Sequence, residues 1–262
     1  MLVRTLSALV ALPILIAVLI LGGKLLYAAV LIISLVGLHE FYKAFSRDYM
    51  PSRTIGYLAT IALYVNLYFT SSLNALGVII ALLIFVSLSF VVFGKMAIGD
   101  AMTTILGFLY VPYMLSHLIL ISDFNKVFFI WFPFIIAFST DTFAYLTGKL
   151  LGKTKLIPSV SPNKTVEGSL GGVIACLVLS YFYANTFMPE FQFYAIFLGL
   201  IGSILSQIGD LIASKMKRIF DIKDFGKIMP GHGGVLDRFD SLIIVLPLVY
   251  YFMVLFNYIN QI

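Results

Sequence analysis

Long apolar runs limit what this chain can fold into more than any other feature of its sequence. A membrane-spanning helix needs about 20 mostly apolar residues, and nine segments approach or reach that length. They are Leu6–Leu21, Leu25–Tyr42, Ile55–Phe69, Leu73–Phe93, Thr104–Ile121, Val127–Leu146, Leu170–Phe187, Phe193–Ala213 and Leu242–Ile259. The runs predict an all-α, polytopic integral membrane protein with about nine transmembrane helices.

Composition leads to the same prediction. Only 11% of the residues are charged, 61% are hydrophobic, and the mean hydropathy is +1.05. A soluble domain carries about a quarter charged residues, so this chain has too little polar surface to cover a water-soluble core. Glycines spaced three or four residues apart, in or beside the runs, predict close helix packing; they are Gly168, Gly172, Gly199 and Gly202.

The basic residues predict an orientation. With nine spans, the N-terminus and the even-numbered loops share one side of the membrane. That side carries 15 of the 17 lysines and arginines, and the positive-inside rule places it in the cytoplasm. We therefore expect a cytoplasmic N-terminus in a bacterial inner membrane, with the functional site facing the cytoplasm.

Charge is also concentrated along the chain. Two stretches, Ser139–Gly168 and Asp210–Asp240, hold 17 of the 29 charged residues, and both lie on the predicted cytoplasmic side. Residues 1–125 are accordingly predicted to be scaffold helices. Residues 126–262 are predicted to be the catalytic region of one continuous membrane domain.

Two acids lie inside predicted spans. At 1.5 Å per residue, Asp141 is about 20 Å and Asp210 about 25 Å below the outer ends of their helices, so both reach similar depths. A buried acid is costly unless it is paired or binds a cation, which makes both residues candidates for a functional site. A structural hydrogen bond or ion pair is the alternative. Glu40, at the end of the second span, either lines the same site or belongs to the helix end.

Polar side chains continue the pattern after Asp210. Ser214, Lys217 and Arg218 follow it at helical spacing on one face. Further along, His232 stands among glycines, whose backbone N–H groups can approach an anion closely; the glycines are Gly231, Gly233 and Gly234. Next come Asp237 and Asp240, which share a face if the last helix begins early.

Aspartates among many bases indicate Mg²⁺-assisted chemistry on phosphates. Mg²⁺ is typically held by one or two carboxylates, with water and substrate oxygens completing its shell, while lysines and arginines hold the remaining phosphate charge. A basic loop attracted to anionic lipid is the simpler alternative. That alternative explains the lysines but neither the buried acids nor the histidine among glycines.

The second polar stretch resembles the signature of a known family, the phosphatidate cytidylyltransferases or CDP-diacylglycerol synthases. The matching residues read Ser214-x₂-Lys217-Arg218-x₄-Lys223-Asp224-x-Gly226-x₃-Pro230-Gly231-His232-Gly233-Gly234-Val235-x-Asp237-Arg238-Phe239-Asp240. The first stretch is similar to the family's upstream region through Asp141-x₂-Ala144-Tyr145 and Ser161-Pro162-x-Lys164-Thr165-x-Glu167-Gly168.

The resemblance implies transfer of CMP from CTP to phosphatidate, with Mg²⁺ and room for a second cation. It implies metal ligation by Asp210, Asp237 and Asp141, and catalytic roles for Asp210, Asp237, Lys217, Arg218 and His232. The implied substrate-binding residues are Ser161, Lys164, Thr165, Glu167, Ser214, Lys223, Asp224, Gly231, Gly233, Gly234, Arg238 and Asp240. The expected partners are CTP, phosphatidate and the lipid bilayer, without nucleic acid, and a homodimer is left open.

Two other functions stay open at this point. A CTP-dependent polyprenol or phytol kinase would transfer a terminal phosphate to a lipid alcohol, whose hydroxyl needs a base. An ion-coupled transporter would use the buried acids. Transporters often show repeated halves, whereas the polar residues here cluster on one face.

Overall fold

The computed structural model describes residues 2–70, 72–124, 127–228, 231 and 233–259. Its helices are α1 (Leu2–Leu21), α2 (Gly23–Phe45), α3 (Arg53–Thr70), α4 (Leu76–Val92), α5 (Ile98–Phe108), α6 (Met114–Ser122), α7 (Phe132–Leu151), α8 (Val166–Phe187), α9 (Gln192–Ile219) and α10 (Leu236–Ile259). A π-helical turn, Leu109–Tyr113, joins α5 to α6, and 3₁₀ turns Val127–Trp131 and Pro189–Phe191 precede α7 and α9. Strands β1 (Lys155–Ile157) and β2 (Ser161–Thr165) form an antiparallel hairpin between α7 and α8.

The helices confirm an all-α membrane protein, and each of the nine apolar runs overlaps helical structure. Among the described residues, six helical stretches are long and apolar enough to cross a membrane: Gly23–Phe45, Ile98–Ser122, Phe128–Leu151, Val166–Phe187, Pro189–Ile219 and Leu236–Tyr258. Two shorter apolar helices are Leu12–Leu21 and Leu76–Val92. The total of nine spans and the cytoplasmic N-terminus stay predictions.

The chain divides into two compact units. The first contains Met1–Asp123 and Ile219–Phe239, and the second contains Phe124–Arg218 and Asp240–Ile262. Residues 219–239, most of the second polar stretch, therefore share a unit with the N-terminal helices. The predicted division into scaffold helices, residues 1–125, and a catalytic region, residues 126–262, was based on function and not on packing. It stays a prediction.

Tyr42 is the centre of packing in the first unit. Its fully buried ring lies against Gly56 of α3 and Gly107 of α5, where an added Cβ would overlap the ring. Its hydroxyl donates a 2.7 Å hydrogen bond to the carbonyl of Thr104. This contact fixes the C-terminal half of α2, the part of the helix that carries Glu40.

Glycines set the helix spacing in the second unit. A Cβ on Gly168 would lie 2.6 Å from the Ala144 carbonyl oxygen, and a Cβ on Gly172 would lie 2.7 Å from the Thr140 carbonyl oxygen. The backbones of α7 and α8 therefore approach more closely than any larger residue allows. Gly199 and Gly202 of α9 are equally confined, by Ser180 and Ile136. The predicted close packing at these glycines is confirmed.

Alanine substitution tests this packing. Gly172→Ala should lower the free energy of unfolding by about 1–3 kcal/mol, because the new methyl group overfills the α7–α8 contact. Gly77 of α4 has no atom within 4 Å of its Cβ position, so Gly77→Ala should be neutral or slightly stabilising. Unfolding of both variants in one detergent provides the measurement, and equal stabilities would contradict the packing argument.

Candidate active site

Asp210 is the central acid of the second unit. It lies in α9, and its carboxylate forms an ion pair with the ammonium group of Lys164 in β2. The two side chains are only 25% and 27% exposed, so the pair is largely shielded from solvent. Ser214, one turn further along α9, places its hydroxyl 3.4 Å from the Asp210 carboxylate.

Two further carboxylates lie near Asp210. Asp141 of α7 and Asp240 of α10 are both close enough for their negative charges to interact with that of Asp210. The hydroxyl of Ser241 donates a 3.2 Å hydrogen bond to Asp141. We call Asp141, Asp210 and Asp240 the aspartate cluster, and it brings together residues from three helices.

Lys217 and a close helix contact complete this group. The ammonium nitrogen of Lys217 is 4.0 Å from a carboxylate oxygen of Asp240, and both side chains are mostly buried. A Cβ on Gly209 would lie 2.9 Å from the Asp240 carbonyl oxygen, so glycine allows α10 to approach α9 here. The carboxyl groups of the aspartate cluster are thus accompanied by the ammonium groups of Lys164 and Lys217.

The hairpin before α8 holds Lys164 in place. Strand β2 pairs with β1 through Lys155 opposite Thr165 and Ile157 opposite Ser161. Thr165 is also the N-cap of α8, since its hydroxyl accepts a 3.1 Å hydrogen bond from the Gly168 N–H. A cap of this kind fixes the direction in which the chain enters the helix.

Glu167 closes the other side of the hairpin. Its carboxylate accepts hydrogen bonds from the backbone N–H groups of Lys153 and Thr154, each at 3.1 Å. Glu167 and Thr165, which the resemblance assigns to substrate binding, thus have backbone partners that shape the hairpin carrying Lys164. Their predicted contacts with substrate stay predictions.

Asp237 belongs to the first unit. One of its carboxylate oxygens accepts hydrogen bonds from the N–H groups of Phe225, at 2.8 Å, and Gly234, at 2.9 Å. Helix α10 begins at Leu236, six residues before the predicted Leu242. The condition for Asp237 and Asp240 to lie on one helical face, an early start of the last helix, is therefore met.

Two of the three glycines in the glycine-rich loop, residues 231–234, have the positive φ angles that favour glycine. Gly231 and Gly233 have φ angles of +75° and +86°, a region that L-residues with side chains rarely adopt. His232 lies outside the described residues. The remaining signature residues with charged side chains are exposed; they are Arg218, Lys223, Asp224 and Arg238.

Two contacts of the site were not assigned from the sequence. Ser241 bonds to Asp141, although it lies just beyond the signature. Glu40, for which two roles stayed open, bonds to the start of α10. Its place at a helix end in an apolar run was the only signal for it in the sequence.

A model of the cytidylyltransferase family matches residues 2–256. The chain belongs to the cytidylyltransferase family. It is therefore an enzyme of the transferase class, as the signature from Ser214 to Asp240 predicts, and its apolar helices make it an integral membrane member of that family.

Curated relatives agree with this family. The chain is 34% identical over 257 residues to the phosphatidate cytidylyltransferase of Staphylococcus haemolyticus (strain JCSC1435), a match that covers 94% of this chain and 96% of the relative. It is 34% identical over 264 residues, with the same coverage, to that of Staphylococcus aureus (strain COL). The phosphatidate cytidylyltransferase of Bacillus subtilis (strain 168) is 46% identical over 130 residues, about half of each chain. The resemblance inferred from the signature is confirmed.

The donor atoms of this cytidylyltransferase suit Mg²⁺. The aspartate cluster of the second unit offers only oxygen ligands, which this hard cation prefers. The carboxylate of Asp237, in the first unit, is an oxygen ligand as well. Within the described part of the chain, no group of three His, Cys, Asp or Glu side chains is arranged to hold a metal ion by itself. Mg²⁺ commonly binds through one or two carboxylates with water and substrate phosphates, so the residues fit a cation that arrives with a nucleotide.

The Glu167 contacts can be tested by amide hydrogen exchange. Glu167→Gln should raise exchange at Lys153 and Thr154 about 10-fold, because a neutral amide is a weaker acceptor than a carboxylate. Asp48→Asn is the control. It removes an exposed acid in the turn after α2, distant in sequence from the hairpin, and should leave exchange at Lys153 and Thr154 unchanged. Equal exchange in both variants would show that Glu167 does not hold the hairpin.

Proposed function

We propose that this chain transfers CMP from CTP to phosphatidate, yielding CDP-diacylglycerol and pyrophosphate. The aspartate cluster with Lys164 and Lys217 is the observation that carries the proposal. It provides oxygen ligands for a divalent cation and ammonium groups for phosphate oxygens in one place, as a transfer between two phosphates requires. The relatives are named phosphatidate cytidylyltransferases, which supports the choice of substrates.

The reaction needs alignment more than proton transfer. An oxygen of the phosphatidate phosphate forms a new bond to the α-phosphorus of CTP. The bond from that phosphorus to the bridging oxygen breaks, and pyrophosphate leaves with the electron pair. Because the second ionisation of a phosphate monoester occurs near pH 6, the attacking oxygen is already anionic at neutral pH and no general base is required.

The basic residues would hold the two anionic substrates together. Lys164 already faces the Asp210 carboxylate, so an incoming phosphate competes with that carboxylate for the ammonium group. Lys217 lies beside Asp240, so a phosphate would compete with that carboxylate in the same way. Arg218, Lys223 and Arg238 are proposed to contact phosphate oxygens from the exposed side. In this proposal, His232 orients a phosphate and does not carry a proton.

Asp210 and Asp237 are the proposed principal ligands of Mg²⁺, with Asp141 assisting or holding a second cation. When bound, the ion would neutralise charge on the phosphates and make pyrophosphate a better leaving group. Lipid and nucleotide would meet on the cytoplasmic side of a bacterial inner membrane, where CTP is available. A homodimer stays a prediction.

Labelled CTP distinguishes the proposal from a lipid kinase. With purified protein, phosphatidate and Mg²⁺, label from the cytosine ring or the α-phosphate should enter the lipid, and γ-label should leave as pyrophosphate. Thin-layer chromatography of the lipid fraction provides the measurement. Only γ-label in lipid would overturn the proposal in favour of the kinase, and a parallel assay with polyprenol or phytol as acceptor checks that outcome directly.

Amide substitutions test the acidic residues. Asp210→Asn and Asp237→Asn should each lower kcat about 100-fold or more, a loss typical of removing one charge-stabilising group, while the protein still inserts in the membrane. Asp123→Asn is the control, because Asp123 is an exposed acid whose carboxylate accepts a hydrogen bond from the Tyr27 hydroxyl, away from the proposed site residues in the sequence. Near-normal turnover in both Asp210→Asn and Asp237→Asn would refute the metal assignment.

A further inference from the structure

Glu40 is a buried acid that the proposed reaction does not use. It lies near the C-terminal end of α2 and is 2% exposed. Its two carboxylate oxygens accept hydrogen bonds from consecutive backbone N–H groups, those of Val235 at 3.1 Å and Leu236 at 2.8 Å. These N–H groups begin α10, so a negative charge meets the positive end of a helix at a place where it is most favourable.

Two glycines of the segment Ile219–Phe239 lie against this carboxylate. A Cβ on Gly226 or on Gly234 would overlap the Glu40 side chain. Both glycines therefore leave room for an acid from another part of the sequence, and their φ angles are not the reason for glycine here. Since a buried carboxylate is costly without hydrogen bonds, this close fit favours the backbone positions of Gly226 and Gly234 that keep Glu40 bonded to Val235 and Leu236.

Glu40 and Asp237 divide the N–H groups at the start of α10 between them. Asp237 accepts from Gly234, and Glu40 accepts from Val235 and Leu236. The N–H groups of Val235 and Leu236, which the start of a helix leaves without intrahelical partners, and that of Gly234 just before them are thereby bonded to two carboxylates. Asp237 also accepts a hydrogen bond from the Phe225 N–H, and the next residue, Gly226, lies against the Glu40 side chain. Both backbone partners of Asp237 thus lie beside residues that Glu40 contacts.

The beginning of the segment contacts α2 and the turn that follows it. The guanidinium of Arg47 pairs with Asp221 at 2.7 Å, and this hydrogen bond raises the pKa of Arg47. The rings of Phe45 and Phe220 have centroids 4.3 Å apart. Residues 40–47 thus contact the segment at both of its ends, and Glu40 is the contact nearest to Asp237.

We propose that Glu40 is a positioning residue of this enzyme, which holds the peptide groups of Val235 and Leu236 and through them sets the carboxylate of Asp237. The inference rests on the proposed function, because Asp237 is assigned there to the reaction centre. Glu40 acts through the backbone, since both of its oxygens bond to N–H groups and its side chain is shielded from solvent.

Glu40→Gln is the first test. The amide keeps one acceptor oxygen but turns an NH₂ group toward the other N–H. We expect exchange at the Val235 and Leu236 amides to rise about 10-fold and kcat to fall about 10- to 100-fold, with a matching rise in the Mg²⁺ concentration for half-maximal activity. The KM for phosphatidate should stay within about twofold.

Asp100→Asn is the matched control. Asp100 accepts hydrogen bonds from the backbone N–H groups of Met50 and Ala97 at the start of α5, so its loss weakens a helix start in the same unit. It should lower stability without changing exchange at Val235 and Leu236 or the Mg²⁺ requirement. If kcat and the Mg²⁺ requirement changed equally in Asp100→Asn and Glu40→Gln, Glu40 would act only through stability, and the proposal would be overturned.

Gly226→Ala tests the contact from the other side. Its methyl group would displace the Glu40 carboxylate, so it should reproduce the rise in exchange and in Mg²⁺ requirement, and it decides the matter if Glu40→Gln does not fold. Unchanged exchange in Gly226→Ala would overturn the proposal. If the unaltered protein transfers no CMP, the proposed function fails, while the exchange measurement still judges whether Glu40 holds the segment.

Discussion

A carboxylate among apolar helices must find positive charge or hydrogen-bond donors, and this requirement governs the polar parts of the protein. Asp210 meets it with Lys164, Asp240 lies beside Lys217, and Glu40 meets it with the start of a helix. Each of these partners comes from another part of the chain: Lys164 from the hairpin, Lys217 from the end of α9, and the N–H donors from the residues that follow the glycine-rich loop. The acids thereby determine where the irregular backbone lies.

Much of the fold follows from hydropathy, because the apolar runs are long and separated by charged turns. The start of α10 does not follow from it. Asp237, Arg238 and Asp240 lower the local hydropathy, yet acids are favourable in the first turn of a helix, so the helix begins at Leu236 and not at Leu242. The hairpin was also missed, since Ser161–Thr165 shows no alternation of apolar and polar residues.

The candidate site was predictable to the extent that its residues lie in recognisable stretches. Asp141 and Asp210 are visible as acids inside apolar runs, and the resemblance adds Lys164 and Asp240. The pairing of Glu40 with Val235 joins residues 195 positions apart, and no pattern within either segment encodes such a distance. The backbone partners of Glu167 depend likewise on how the hairpin turns, which periodicity does not describe.

The grouping of residues 219–239 with the N-terminal helices bears on how such enzymes diverge. The segment lies between α9 and α10 in the chain, but the acid that fits its glycines comes from α2. Exchange of the C-terminal half alone between two relatives would pair a loop from one parent with a helix from the other. Glu40, Gly226 and Gly234 should therefore be inherited together, and recombination near residue 125 would succeed only between parents that share all three.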